Sequence, residues 1–180
     1  MGGIQEEIDF SKVNKAEYHR YKERFDKAEQ LIVEDRLSDA IALYRENLQW
    51  SLRVLSQDHV ATLQDQQGLA FILNEFASSK SYSGNAAERK KLLQDARNLN
   101  QTALDARKRL EGKEPQSEDF LDIQRSLAND NVKLDDVHRA AKIYEENYTA
   151  RKRHPDLGAD DEETLRTGLD LASCWHRLGS

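Results

Sequence analysis

An all-α fold of about seven helices, stacked as antiparallel pairs, is predicted from three observations on this 180-residue sequence. Leu, Ala, Glu, Lys, Arg and Gln dominate, and only two prolines and eight glycines interrupt them, so helix is favoured nearly everywhere. A pattern Leu-x5-Leu-Ala recurs as Leu63 with Leu69-Ala70, Leu121 with Leu127-Ala128, and Leu165 with Leu171-Ala172. A second pattern places a larger residue four after an alanine, at Ala40 and Tyr44, Ala96 and Asn100, Ala140 and Tyr144. The two patterns interlock, since Ala40 lies twelve residues after Ala28 and Ala140 twelve after Ala128. Units repeating in this way cannot hide their apolar faces alone, so they stack.

Taken in order, residues 1–13 contain no apolar run and carry Glu6 where a myristoylation signal needs Ser or Thr, and they read as a flexible tail. The array occupies 14–180, in copies at about 15–57, 58–112, 117–156 and 160–180, the last a first helix only. Asn14 with Glu17 resembles a capping box opening the first helix, whose small residue is Ala28. Ile41, Tyr44, Leu48, Leu52 and Leu55, at spacings of three and four, mark one buried stripe on the second. Asp58 precedes the third helix, where Leu69, Leu73 and Phe76 form one stripe and Leu63 and Ala70 another, so that helix must be covered from two sides. The step from Ala70 to Ala96 is 26 residues, which leaves an insertion of about fourteen at 78–91. Its Ser-rich start, 78–83, reads as disordered rather than as a phosphorylation site. Ser117 and Asp160 precede the fifth and seventh helices. The small alanines at 28, 70, 128 and 172 admit a paired helix, and those at 40, 96 and 140 supply the matching surface.

Charged residues form 33% of the chain and its net charge is −6, which repels phosphate backbones and argues against nucleic acid as partner. No segment approaches the run of about 18 apolar residues a membrane helix needs, so a soluble, cytoplasmic protein is expected. The lone Cys174 excludes an internal disulfide framework and reads as a buried, inert thiol. His19, His59, His138, His154 and His176 form no HExxH or i, i+4 pair, so neither metal site nor acid–base pair is expected. Glu6-Glu7 and the other acidic pairs read as solvent-facing charge, and no Gly-rich phosphate loop occurs. The sequons at Asn100 and Asn147 fall in expected helices and are taken as chance. Trp50 and Trp175 are expected to pack between helices. An enzyme is not predicted, because no catalytic constellation can be assembled, and no cofactor is implied.

At these residues the chain resembles the tetratricopeptide repeat (TPR) family, with a large apolar and a small residue on the first helix and Ala-x3-aromatic on the second. It looks most like the kinesin light chain variety, whose repeat is near 42 residues: Ala28 to Ala70 is 42, and Ala128 to Ala172 is 44. Asp58-His59 followed by Thr62 matches a loop feature of that variety, and Asp160 to Thr164 matches it in part. The resemblance implies a right-handed superhelical α-solenoid whose first helices line a concave, peptide-binding face. Carried over by residue, the groove positions are Gln64, Gln67, Phe71 and Asn74 in the second copy, Asp122, Arg125 and Asn129 in the third, and Arg166 and Ser173 in the fourth. Relatives place paired asparagines just before Leu-Ala; here Gln67-Gly68, Arg125-Ser126 and Leu169-Asp170 stand there, so the relatives' peptide preference does not carry over.

The function expected is therefore a scaffold for a protein or peptide segment, with Arg125 and Arg166 candidates for ligand carboxylates. An alternative is a fragment of a longer repeat region, such as the sensor of a multidomain signalling NTPase; an RNA-binding helical repeat or an enzyme is the alternative from another class. A last helix without its mate predicts a partly exposed stripe of Leu171, Trp175 and Leu178, open to self-association.

Overall fold

A computed structural model describes residues 13–80, 82–112 and 117–179. Seven helices and no strand occur among them: α1 (Lys15–Val33), α2 (Leu37–Val54), α3 (Val60–Ser78), α4 (Ala86–Glu111), α5 (Glu118–Lys133), α6 (Val137–Arg153) and α7 (Glu162–Gly179). They form two compact units, one ending at Gly84 and the other beginning at Asn85. Glu6-Glu7, the myristoylation position, Ser81 and most of the expected tail lie outside the described residues. Val13 does not belong to a tail: it is buried with Tyr21 and Trp50.

In the N-terminal unit, α1 packs on α2 and α2 on α3. Asn14 opens α1 by accepting from the Ala16 and Glu17 amides at 2.9 and 3.3 Å, but Glu17 turns to the Trp50 indole and Arg53, so the expected capping box is only half made. Helix α1 ends on Asp35 in the left-handed region (φ 57°), with the Arg36 amide on the Leu31 carbonyl and the Asp35 amide on that of Ile32, a Schellman turn. Asp135 (φ 65°) ends α5 with the same pair of bonds, so the turn is itself repeated. Helix α3 is capped by His59, whose Nδ1 accepts from the Ala61 amide, and not by Asp58.

The stripe on α2 differs from expectation. Ile41, Tyr44 and Leu48 are buried, but Leu52 is exposed, and the buried row continues through Asn47, Trp50 and Ser51. Helix α3 does bury residues around much of its circumference, from Thr62 and Leu63 through Leu69, Ala70, Ile72, Leu73 and Ala77. Ala28, Ala40 and Ala70 are at most 1% exposed, as close helix approach demands.

The C-terminal unit holds α4 to α7, each packed on the next. Within the insertion Ser78 ends α3, and residues 86–91 belong to α4, a 26-residue helix opened by a reciprocal capping box between Asn85 and Glu88. Leu, Lys and Arg with a strong N-cap propagate helix readily, so surplus residues lengthened an element rather than a loop. The sequon Asn100 is buried in α4 and donates to Asp130 of α5 at 2.7 Å, a polar contact where the other copies have tyrosine. Ser117 caps α5, while Asp161 and not Asp160 accepts from the Thr164 amide at the start of α7. Residues 113–116, between α4 and Ser117, lie outside the described part.

Candidate protein-interaction faces

Helix packing leaves one flank of each first helix exposed, and the sequence-predicted groove positions divide sharply by unit. On α3, Gln64, Gln67 and Phe71 recur at i, i+3 and i+7 on a single flank. Gln64 is exposed, Gln67 half-buried, and Phe71 58% exposed, high for so large an apolar side chain. Neither glutamine amide hydrogen-bonds another described residue. Asn74, predicted on the same flank, is buried and is not part of the exposed face.

Gly68 sits inside this row for a steric reason. A Cβ there would lie 2.5 Å from Cε1 of Tyr44, so glycine lets the α3 backbone rest on the tyrosine ring. Phe25 of α1 meets the same ring edge-on, centroids 5.9 Å apart, and the Tyr44 hydroxyl donates to Glu29.

In the C-terminal unit every predicted groove side chain that can hydrogen-bond is already engaged. The Arg125 guanidinium donates to Glu163 at 2.7 Å and to Asp170 at 2.8 Å, tying α5 to α7. Arg166 is held by Glu162 and Glu163. Asp122 pairs with Arg151, Asn129 accepts from the Tyr144 hydroxyl, and the Ser173 hydroxyl donates to its own helix at the Leu169 carbonyl. Two carboxylates around Arg125 neutralise it, so it has little left for a ligand carboxylate.

Helix α7 shows a different exposed face. Leu165, Leu169 and Trp175 are 52%, 69% and 52% exposed, and Ala172 is exposed with them. Their counterparts in α5 at the repeat positions, Leu121 and Ala128, are fully buried. The stripe therefore includes Trp175 but not Leu171, which faces the core with Cys174 and Tyr144. Trp50, in contrast, packs as predicted, its ring 4.7 Å from that of Tyr21. Burial pushes the Cys174 thiol above its ordinary range.

Sequence reasoning missed a repeated buried amide. Asn47 and Asn147 each follow the second-helix alanine by seven residues and are 0% exposed. Each donates its Nδ2 to a first-helix carbonyl, Tyr21 at 3.2 Å or Leu121 at 2.7 Å, and accepts from an arginine Nε at Oδ1: Arg24 at 2.7 Å or Arg151 at 3.0 Å. The recurrence of Asn at that phase was the available signal. Also unmarked was Asp65 of α3, fully buried, accepting from the Tyr21 hydroxyl at 3.0 Å. Burial, opposed by hydrogen bonds from Ser51 and Tyr21 and by the charge of Arg24, holds its carboxyl up at about 6.

Among the described residues no His, Cys, Asp or Glu cluster has the arrangement of a metal site, and no helix is long and apolar enough to cross a membrane. No family model matches the sequence, and no curated protein sequence does. Solved structures do. BtubC (BKLC) from P. vanneervenii matches with TM-score 0.68 and 18% identity, over 84% of this chain and 54% of that one. A putative kinesin light chain of nearly identical TPR-like repeats from Podosopora anserina matches with TM-score 0.70 and 16% identity, over 89% of this chain and 67% of that one, and a point variant of that protein matches equally. The chain thus spans about half the length of the first of these. It has the all-α, TPR-like fold of kinesin light chain repeats.

Proposed function

We propose that this chain is a protein-interaction scaffold that binds an extended peptide segment along the exposed flank of α3. One observation carries the reading: Gln64, Gln67 and Phe71 stand in a row with unengaged amides and an open aromatic face. Glutamine amides offer both a donor and an acceptor, as a peptide backbone requires, and the phenyl ring supplies an apolar anchor. Arg125 and Arg166 serve as structural ties within the C-terminal unit in this reading. Helical repeat scaffolds commonly act without chemistry of their own, and no catalytic role is assigned.

The test is selection of binding peptides from a displayed random library on the intact chain, followed by affinity measurement on variants. The double variant Gln67→Ala with Phe71→Ala is expected to weaken the selected peptides at least about tenfold, the loss of a central anchor. Arg166→Ala should leave them unchanged. Peptides that bind the double variant at full affinity would refute the α3 face.

A second reading rests on α7, whose Leu165, Leu169, Ala172 and Trp175 form an exposed apolar stripe. Here two copies of the chain associate through this face. Sedimentation velocity should then show a concentration-dependent dimer that Leu169→Glu abolishes, and a monomer at all concentrations would exclude it.

A further inference from the structure

Helix α1 carries a second feature, on the flank away from Phe25 and Glu29. Arg20, Arg24 and Lys27, at i, i+4 and i+7, line an open cavity of about 270 Å3 together with Glu23 and, from α2, Leu43. The chain as a whole is acidic, so three cations on one side of one helix stand out.

Arg24 is held in place. Its Nε donates to Oδ1 of Asn47, and that amide cannot turn because it is wholly buried with Nδ2 on the Tyr21 carbonyl. Glu46 comes no nearer than 3.9 Å to Nε, and no carboxylate among the described residues meets either terminal nitrogen. Arg20 donates its Nε to the Ala16 carbonyl of its own helix, at 3.4 Å. The Lys27 ammonium reaches the amide oxygen of Gln30, and Glu23 is turned to His19 at 3.3 Å.

In the C-terminal unit a buried asparagine also orients an arginine, there one on its own helix α6. Asn147 fixes Arg151 as Asn47 fixes Arg24, but the Arg151 guanidinium closes on Asp122. In the N-terminal unit the oriented fork opens on the cavity instead. A guanidinium fixed in advance binds a planar or tetrahedral oxyanion with little further ordering.

We propose that the α1–α2 cleft is a phosphoryl-binding site for a phosphorylated side chain of a protein partner. Three cations face two carboxylates, Glu23 in the cleft and Glu46 at 3.9 Å from Arg24, which leaves a local excess of one positive charge, complementary in sign to a phosphate monoester of about −1.5 to −2. Leu43 at the wall supplies apolar contact for the carbon that bears the ester, which inorganic phosphate lacks. This site is separate from the α3 flank and stands or falls independently of it.

The experiment is an NMR titration of the full chain at low ionic strength with sodium phosphate, capped phosphoserine and capped serine, read at the Arg24 Nε–H and Asn47 side-chain amide signals. Shifts confined to α1 and α2 are expected with both phosphoryl probes and none with capped serine. Capped phosphoserine should bind at least about threefold more tightly than inorganic phosphate, the worth of a partly buried methylene. Arg24→Gln should weaken it about tenfold and the exposed Lys27→Gln about threefold, with α5 to α7 signals unmoved in either. Lys27→Gln keeps the test decisive if Arg24→Gln disturbs the fold. Shifts scattered over the surface, or binding unchanged in both variants, overturn the site, and equal affinity for the two phosphoryl probes overturns the protein-borne source.

Discussion

Asp65 lets the cost of a buried acid be measured directly. The carboxyl is 0% exposed at the meeting of α1, α2 and α3, and its pKa stands at about 6 against an ordinary 3.8. The folded chain therefore holds this proton more tightly than the unfolded chain. Below about pH 4 both states are protonated and nothing is lost; between about pH 4 and 6 the unfolded state ionises first and stability falls; above about pH 6 the deficit is constant. At 1.36 kcal/mol per tenfold change in affinity, the deficit at pH 7 is on the order of 3 kcal/mol. Asp65→Asn removes the titration and keeps an oxygen to accept from Tyr21, whose own phenol is pushed up by burial and by Asp65. The added amide donors need acceptors of their own at every pH, so a net gain of about 1–2 kcal/mol at pH 7 is expected to turn into a net loss of about 1–2 kcal/mol below about pH 4. Urea unfolding followed by tryptophan emission reads the N-terminal unit, because Trp50 is buried there while Trp175 is already half exposed in α7. A variant-to-parent difference that stays constant from pH 4 to pH 7 would refute the assigned cost.

Two further substitutions test packing. Gly68→Ala forces a Cβ to 2.5 Å from the buried Tyr44 ring and should destabilise the N-terminal unit by about 1–3 kcal/mol despite better helix propensity, whereas Gly168→Ala meets the half-buried Tyr148 at 3.1 Å and should lie within about 1 kcal/mol of neutral; thermal unfolding of both separates the cases. Asn147→Ala strips the buried Arg151 Nε of its acceptor and the Leu121 carbonyl of a donor, with an expected cost of about 2–4 kcal/mol in urea unfolding of the C-terminal unit, and a cost under about 0.5 kcal/mol would count against the amide as a strut.

The number and identity of the helices were legible because apolar and small residues recur at helical phase. Ala28, Ala70, Ala128, Ala40, Ala96 and Ala140 are all buried where the interlocked patterns put them. Ala172 carries the same pattern yet is exposed, because burial is conferred by a neighbouring helix and not by the residue. Caps were legible to within a residue, as His59 and Asp161 took the roles read for Asp58 and Asp160; several adjacent polar residues can accept the same amide, and chain direction chooses among them. The insertion was legible in length but not in state, since a capping box at Asn85 turned part of it into α4.

The candidate face was less legible. Phase alone placed Gln64, Gln67, Phe71, Asp122, Arg125, Asn129, Arg166 and Ser173 alike on first-helix flanks, and it could not say which were already engaged. Arg125 meets carboxylates 38 and 45 residues away, and Arg151 an aspartate 29 residues away. By itself the sequence determined a helical repeat array and its register, since periodicity is a local property that each segment states on its own. Only the tertiary structure decided which polar side chains remain open to a partner, because an ion pair depends on distances of a few ångströms between helices that no spacing along the chain encodes.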